Sequence, residues 1–118
     1  MRPDPPHTDA GFLWDMLTYA KSVVAHTTGM TLEDYVADEN VRLATERRIE
    51  IIGEAARHVS DDYKTQHPEV PWEAIVKQRH VLAHDYSDIS DTIIWKVVTV
   101  HVPALIPLLE PLVPRTPE

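Results

Sequence analysis

Apolar residues recur three and four positions apart along most of the chain, which is the spacing of α-helices with one buried face. The pattern predicts four main helices: one from residue 9 to about 27, one from about 41 to 59, one that begins at Pro71, and one that Ser90 caps. No segment alternates apolar and polar residues as a strand would. Because the connections are short, we predict an all-α fold, an antiparallel bundle of four main helices with one or two extra short helices.

Capping residues support these boundaries. Thr8 or Asp9 is suited to cap the first helix, and Gly29 is suited to end it. Thr31–Asp34 has the pattern of a capping box, with Asp in place of the usual Glu or Gln, and predicts a short helix. Ser60 can cap a further short turn before Pro68 and Pro71.

Other residues mark positions where helices are broken, approached closely or bent. We predict a break near Asp38–Asn40, before the second main helix. Gly53 lies inside that helix at a cost of about 1 kcal/mol relative to alanine. Close approach of another helix explains it, either at a dimer seam or within one chain. Pro103 and Pro107 are expected to kink the fourth helix, because proline cannot donate a backbone hydrogen bond.

Length and composition indicate a single domain. We expect a flexible arm over residues 1–8, a helical domain over 9–113 and a flexible tail over 114–118 of the 118 residues. The chain has no cysteine, which excludes disulfides and thiolate zinc sites and suits a reducing, cytoplasmic compartment. There is no signal-like apolar segment, and no apolar run approaches about 18 residues, so we do not expect a membrane span.

The net charge of −8 argues against a nonspecific nucleic-acid binder, whose affinity comes from many contacts between cations and phosphates. It does not exclude an enzyme that meets RNA through one local basic patch. The cations are unevenly distributed, since several arginines fall in the second main helix and Lys77 and Arg79 lie close together.

One stretch, Lys77–Ile89, concentrates the residues best suited to chemistry on a phosphodiester: Arg79, His80, His84, Asp85 and Tyr86. Arginine is a permanent cation that suits a phosphate. Histidine can take or give a proton near neutral pH, and a tyrosine hydroxyl can donate, accept or be modified. We call Arg79–Tyr86 the motif.

Helix geometry does not bring all of these residues together. Arg79 and Tyr86 are seven positions apart and share a helix face, whereas Arg79 and His84 are roughly 140° apart around an ideal helix. They converge only if the helix frays near Asp85, if the Arg79 side chain reaches round, or if a second subunit supplies partners.

A purely structural interpretation of the motif has about equal weight on residue types alone. In it Arg79 pairs with Glu54 or Asp85, His84 lies near a helix end, and Tyr86 is half-buried packing. A metal site is disfavoured, since His80 and His84 have no third ligand nearby. With three glycines in the chain, there is no glycine-rich phosphate loop.

The motif, R-H-V-L-A-H-D-Y, resembles the R-x4-H-x-Y signature of the HepT-like branch of the HEPN superfamily. Further stretches resemble that family in the same order: Phe12–Leu17, Thr28–Tyr35, Arg48–Ala56, His67–Trp72 and Trp95. The resemblance covers residues 9 to 113.

This resemblance implies a homodimer in which two copies of the motif face each other. It implies a metal-independent ribonuclease without a cofactor, acting on mRNA or tRNA as the toxin of a two-gene toxin–antitoxin system. Arg79 and His84 would be catalytic, and His80 would assist or position the phosphate. A minimal nucleotidyltransferase antitoxin would silence the toxin by adding AMP to Tyr86. The alternatives are a non-catalytic partner that presents nucleotide or substrate to a nucleotidyltransferase, and a structural dimer.

Overall fold

The computed structural model describes residues 8–77 and 91–114, and within these ranges every regular element is helical. Seven α-helices are present in the described ranges, and the last is flanked by a π-helical turn at Val97–His101 and a 3-10 turn at Glu110–Leu112. The helices are α1 (Asp9–Thr27), α2 (Leu32–Ala37), α3 (Glu39–His58), α4 (Asp61–Gln66), α5 (residues 72–77), α6 (Asp91–Lys96) and α7 (Val102–Leu109). The predicted all-α class is confirmed.

The first two helices begin where the sequence predicted. The Gly11 N–H donates to Thr8 Oγ1 at 3.0 Å, so Thr8 rather than Asp9 caps α1. Both hydrogen bonds of the capping box at the start of α2 are present between Thr31 and Asp34, at 3.0 and 3.1 Å. Gly29 ends this corner with a φ of +82°, a conformation that glycine adopts without strain.

The long helix α3 begins two residues before the predicted start. Asp38 Oδ1 accepts a hydrogen bond from the Val41 N–H at 3.0 Å, and the backbone N–H of Asp38 donates to the Tyr35 carbonyl oxygen at 3.3 Å. One residue therefore ends α2 and starts α3, which shortens the predicted break.

A side-chain contact between distant parts of the chain joins α1 to the start of α4. Ser60 donates to Asp9 twice, from its backbone N–H at 2.8 Å and from its hydroxyl at 2.7 Å. Ser60 Oγ also accepts from the Tyr63 N–H at 3.3 Å, so Ser60 caps α4 as predicted. The first residues of two helices are thereby tied to one another.

The core forms where α1 packs between α3 and the last helix. Its side chains are apolar and almost fully buried on all three helices, and Gly53 is buried on the same side of α3 within a single chain. The central members are Leu13, Met16, Ala20 and Val23 from α1, Ile49, Ile52, Ala55 and Ala56 from α3, and Val98, Val102, Leu105 and Leu109 from the last helix. Each large aliphatic side chain buried in this way contributes about 1.5–3 kcal/mol.

The last helix departs from α-helical geometry at its prolines. The π-helical turn directly precedes Pro103, and within it the Val102 N–H donates to the Val97 carbonyl oxygen, five residues earlier. A proline nitrogen has no hydrogen to donate, so the turn before Pro103 widens and Pro107 leaves a second gap in the backbone bonding. The kinks expected at Pro103 and Pro107 stay predictions, and the irregularity that the structure shows is the widened turn before Pro103.

The same helix, Asp91–Leu112, is long and apolar enough to cross a membrane, with a mean hydropathy of 1.7 over its most apolar window. We expected no membrane span from the sequence. The core helices of many proteins without a membrane segment meet the same criteria, and this helix packs against α1. Its length and composition alone therefore do not assign it to a membrane.

Truncation of a core leucine tests the assignment of the last helix to the core. Leu109→Ala is expected to lower the free energy of unfolding by about 2–5 kcal/mol, since Leu109 is fully buried and its loss leaves a cavity. The matched control, Leu43→Ala on the outer side of α3, removes a side chain that is 56% exposed, and should change it by about 0.5 kcal/mol or less. Urea denaturation measures both, and equal losses would contradict this core.

Candidate functional site

The motif lies between the two described parts of the chain. Arg79, His80, His84 and Tyr86, with Asp85 and the predicted turn and cap at Ser87–Ser90, fall outside the described residues, which end at Lys77 and resume at Asp91. The predicted roles of these residues stay predictions. The structure does describe the frame around the motif, which consists of α5 before it and α6 after it, with the residues that hold them.

An aromatic corner fixes the helix that leads into the motif. The indole N–H of Trp72 donates to the His67 carbonyl oxygen at 2.9 Å, and the Trp72 ring meets the Tyr63 ring edge-on at 6.3 Å. Tyr63 stacks on the His67 ring at 4.4 Å, and Val70 and Ile75 are buried beneath. Three rings and one hydrogen bond therefore set the direction in which α5 starts, two residues after Val70.

The same corner carries a contact between two side chains at the surface. His67 Nδ1 lies 3.1 Å from Glu69 Oε2. A hydrogen bond from its own backbone N–H, and then the contact with His67, lower the pKa of the Glu69 carboxyl. Burial and then the nearby carboxylates of Asp9 and Glu69 raise the pKa of Tyr63, so its hydroxyl stays protonated at neutral pH.

A second aromatic contact fixes the helix that follows the motif. Tyr35 of α2 is fully buried, and its ring packs on the Trp95 ring of α6 with centroids 5.1 Å apart. Ile94, the neighbour of Trp95, is buried in the core. The first turn of α6 is thus held from the α2 side and from the core side, so both ends of the motif segment join anchored helices.

Charged residues surround this second contact, next to the first residue of α6. Burial is the main cause that raises the pKa of Tyr35, while Glu46 and Asp91 raise it further and Arg42 lowers it. Burial also raises the pKa of the Glu46 carboxyl, with Arg42 opposing the shift and Asp91 and Glu50 adding to it. We call Tyr35, Arg42, Thr45, Glu46 and Asp91 the α6 cluster.

Several polar atoms of the α6 cluster are buried without a hydrogen bond. Within the described part of the chain, Tyr35 Oη, Arg42 Nε and Thr45 Oγ1 have no partner. A buried group of this kind costs about 1–3 kcal/mol when it is left unpaired. The sequence analysis did not single out these residues as a cluster. The spacing of Arg42 and Glu46, four positions apart on a helix, was the available signal.

A groove between α1 and α3 contains Glu54, one of the two carboxylates with which Arg79 would pair in the purely structural interpretation. Glu54 Oε1 lies 2.9 Å from Arg57 Nη2 and 3.0 Å from His58 Nε2, and the His58 ring stacks on Phe12 at 5.4 Å. The groove encloses about 180 Å³ and is lined by Phe12, Asp15, Arg47, Glu50, Ile51, Glu54, Ala55 and His58. Glu54 therefore already binds two cationic or titratable groups of its own helix.

A wider groove runs beside α5 and ends at Lys77, two residues before Arg79. It has a volume of about 430 Å³, and its cationic side chains come from α3, α4 and α5. The lining residues are Arg57, Asp61, Lys64, Trp72, Glu73, Val76 and Lys77. Its three cations, Arg57, Lys64 and Lys77, outnumber its two carboxylates, Asp61 and Glu73, by one. Cations at this position next to the motif suit contact with the phosphates of a nucleic acid.

Among residues 8–77 and 91–114, no three or more His, Asp or Glu side chains are grouped in a way that could hold a metal ion. The polar groups near the motif ends are a tyrosine, arginines, lysines and carboxylates in pairs, Asp61 with Glu73 in the wider groove and Glu46 with Asp91 at α6.

Comparison with known proteins covers the frame and the motif together. A family model described as "Ribonuclease HepT-like" matches residues 16–112. A protein of Methanocaldococcus jannaschii named "Putative RNase MJ1380" is 35% identical over 94 residues, which are 80% of this chain and 86% of that protein. A protein of Thermococcus cleftensis named "Probable ribonuclease HepT" is 32% identical over 94 residues, with the same two coverages of 80% and 86%. No solved structure matches the chain.

The raised pKa of Glu46 gives a test of the α6 cluster. The folded chain holds the proton of the Glu46 carboxyl more tightly than the unfolded chain does. The wild type therefore loses stability as the pH rises above the ordinary carboxyl pKa. Glutamine at this position has no ionisable carboxyl, so Glu46→Gln does not undergo this loss. We therefore expect it to be more stable than wild type at neutral pH, with a difference that shrinks towards a pH of about 4.

Urea denaturation over this pH range measures the effect. Glu39→Gln is the control, since Glu39 is exposed in the first turn of the same helix, where a negative charge is favourable, and should give no gain at neutral pH. A Glu46→Gln variant that is less stable than wild type at neutral pH would show that the carboxylate is favourably paired there.

Proposed function

Because the chain belongs to the HepT-like ribonuclease family, we propose that it is the toxin of a two-gene toxin–antitoxin system and cleaves RNA without a metal ion. One observation carries the proposal: the family match over residues 16–112 contains an intact set of Arg79, His84 and Tyr86. The substrate would be mRNA or tRNA, and the compartment would be the cytoplasm.

Arg79 and His84 would share the chemistry. His84 would take the proton of a ribose 2′-hydroxyl, or give a proton to the leaving 5′-oxygen, and such general acid–base catalysis contributes typically 10²–10⁴-fold. Arg79 would stabilise the charge that develops on the phosphoryl oxygens. His80 would position the phosphate. No step of this mechanism needs a metal ion, because the 2′-hydroxyl is itself the nucleophile.

The wider groove supports RNA as the substrate. Lys64 and Lys77 line it beside α5, and Lys77 is two residues from Arg79. In a chain with a net charge of −8, cations placed next to the motif would hold the RNA backbone locally, while the remaining surface would repel it. This arrangement suits an enzyme that binds a short stretch of RNA.

A homodimer would complete the site. Arg79 and His84 point in directions roughly 140° apart on an ideal helix, so one copy alone would bring them together only if the helix frayed or the Arg79 side chain reached round it. Two copies of the motif that face each other would place Arg79 of one beside His84 of the other. The two anchored helices, α5 and α6, would then hold each motif in a fixed direction for that encounter.

Control of the toxin would act on Tyr86. A minimal nucleotidyltransferase antitoxin would join the Tyr86 phenolic oxygen to the α-phosphorus of ATP and release pyrophosphate. The AMP group would then add bulk and negative charge within two residues of His84. Both changes would keep the phosphates of RNA out of the site.

His84→Ala tests the ribonuclease proposal. Cleavage of RNA by purified protein in EDTA is expected to fall by about 10²–10⁴-fold in this variant, since the general acid–base group is lost. His26→Ala, which removes an exposed histidine of α1 that contacts Ser22, is the matched control and should cleave like wild type.

Two outcomes would contradict the proposal. Equal cleavage by wild type and His84→Ala would assign the activity to other residues or to a contaminant. An inactive wild type without AMP on Tyr86, as judged by mass spectrometry, would favour the non-catalytic partner of a nucleotidyltransferase, above all if tight nucleotide binding survived His84→Ala.

Tyr86→Phe tests the control by the antitoxin. The variant should keep wild-type toxicity and escape silencing, because only the hydroxyl can accept the AMP group. Growth of cells that express the toxin, with and without the nucleotidyltransferase gene, measures both effects. Full silencing of Tyr86→Phe would mean that the antitoxin blocks the site by binding alone.

A further inference from the structure

The last helix exposes an apolar row on the side that does not face the core. Its members alternate four and three positions apart in the sequence, which in a regular α-helix is the spacing of a coiled-coil seam. The row crosses the π-helical turn at Val97–His101, where the helix has more residues per turn. Ile93 is 61% exposed and Val100 is 52% exposed, and the other members are exposed except for half-buried Val97. We call this row the terminal seam; it consists of Ile93, Val97, Val100, Ala104, Pro107 and Pro111.

The opposite side of the same helix is already used. Ile94, Val98, Val102, Leu105 and Leu109 are buried in the core. The helix is therefore apolar on two sides, and only 28% of its most apolar window is buried within the chain. A second apolar side on a helix normally packs against another element. Two of the four large hydrophobic residues that the described chain exposes lie on this seam.

The terminal seam is complementary to itself when a second copy runs in the opposite direction. With the crossing point at the level of residue 102, Ile93 meets Pro111 of the other copy, Val97 meets Pro107, and Val100 meets Ala104. Each contact joins a large β-branched side chain to a small or compact one, which is the combination that lets two helices approach closely.

Charges beside the seam match in the same arrangement. Lys96 and Glu110 each precede a seam residue by one position, so an antiparallel pair would bring Lys96 of one copy to Glu110 of the other, twice by symmetry. In a parallel pair these two residues would stay fourteen positions apart, about 21 Å along the helix. Glu110 also lies 3.7 Å from Lys21, with both side chains about half exposed, and such a pair is weak enough to share its carboxylate.

We propose that the terminal seam is a self-association surface, on which a second copy of this chain docks with its last helix antiparallel. Asp91, the residue at which the described chain resumes after the motif, is eleven positions from the crossing point, about 16 Å along the helix. The two Asp91 residues would therefore lie at opposite ends of the paired helices. The homodimer proposed above is built on the motif, whereas this contact is built on the last helix. Two contacts on one chain would join active dimers into a larger assembly.

Single cysteines test the register, because the natural chain contains none. Val97→Cys and Pro107→Cys are expected to form an intermolecular disulfide when the two variants are mixed and oxidised. Neither should cross-link with itself, since identical positions would be about 15 Å apart along the helix. Leu43→Cys, an exposed residue of α3 away from the seam, is the control and should cross-link with neither.

A charge placed in the middle of the seam tests its contribution to association. Val100→Glu would bury two unpaired carboxylates and should weaken association by roughly tenfold or more, seen as about half the wild-type mass by light scattering. Leu43→Glu is the matched control and should keep the wild-type mass. RNA cleavage per chain by Val100→Glu should stay at the wild-type level, whereas His84→Ala should lose cleavage and keep its mass, so the two proposals fail independently.

Three outcomes would overturn the terminal seam as a self-association surface. Self-cross-linking of Val97→Cys alone would establish a parallel contact. Absence of any cross-link between the mixed variants, together with an unchanged mass for Val100→Glu, would show that copies do not meet here. Flotation of wild type, but not of Val100→Glu, with phosphatidylglycerol–phosphatidylcholine vesicles would assign the surface to a membrane.

Discussion

The burial of α1 between α3 and the last helix is the contact on which the rest of the structure depends. Met16, Ala20 and Val23 of α1 are fully enclosed, and the described elements on either side of the motif are joined to this three-helix unit. The hydrogen bonds from Ser60 to Asp9 tie the start of α4 to α1, and through it the aromatic corner at Trp72. The direction of α5 therefore follows from the position of α1.

The frame around the motif is rigid at two points that differ in chemistry. On the α5 side the anchor is a set of packed rings and a hydrogen bond that pairs the Trp72 indole N–H with the His67 carbonyl oxygen. On the α6 side Tyr35 packs on Trp95 amid buried polar atoms without partners, with Glu46 and Asp91 close by. Unpaired buried groups lower stability locally, and proteins tolerate such costs most often near functional sites. The weaker of the two anchors is thus the contact between Tyr35 and Trp95, next to Asp91. In the sequence it lies on the side of the motif nearer to His84, the catalytic histidine of the proposed mechanism.

Helix positions could be read from the sequence because local rules decide them. Thr8, Thr31 and Ser60 cap helices as their side chains predict, and the prolines of the last helix do disturb its backbone. The start of α3 was placed too late because Asp38 serves two helices at once, which composition cannot show. The α6 cluster was missed because Tyr35 of α2 and Asp91 of α6 join the α3 residues only through tertiary packing. For the motif, residue types and spacing left catalysis and packing about equally weighted, and family membership then favoured catalysis.

The last helix shows why a hydrophobic pattern read for one chain can be incomplete. The core takes only the side that carries Val98, Val102 and Leu105. Ile93 and Val100 extend the pattern to a second side that nothing in the described chain covers. A sequence with a net charge of −8 has ample charged residues for a solvent-facing helix surface, and here it places β-branched and small residues instead. A contact between two copies requires residues at this spacing, with charges such as Lys96 and Glu110 beside them. A helix side that meets only water requires neither.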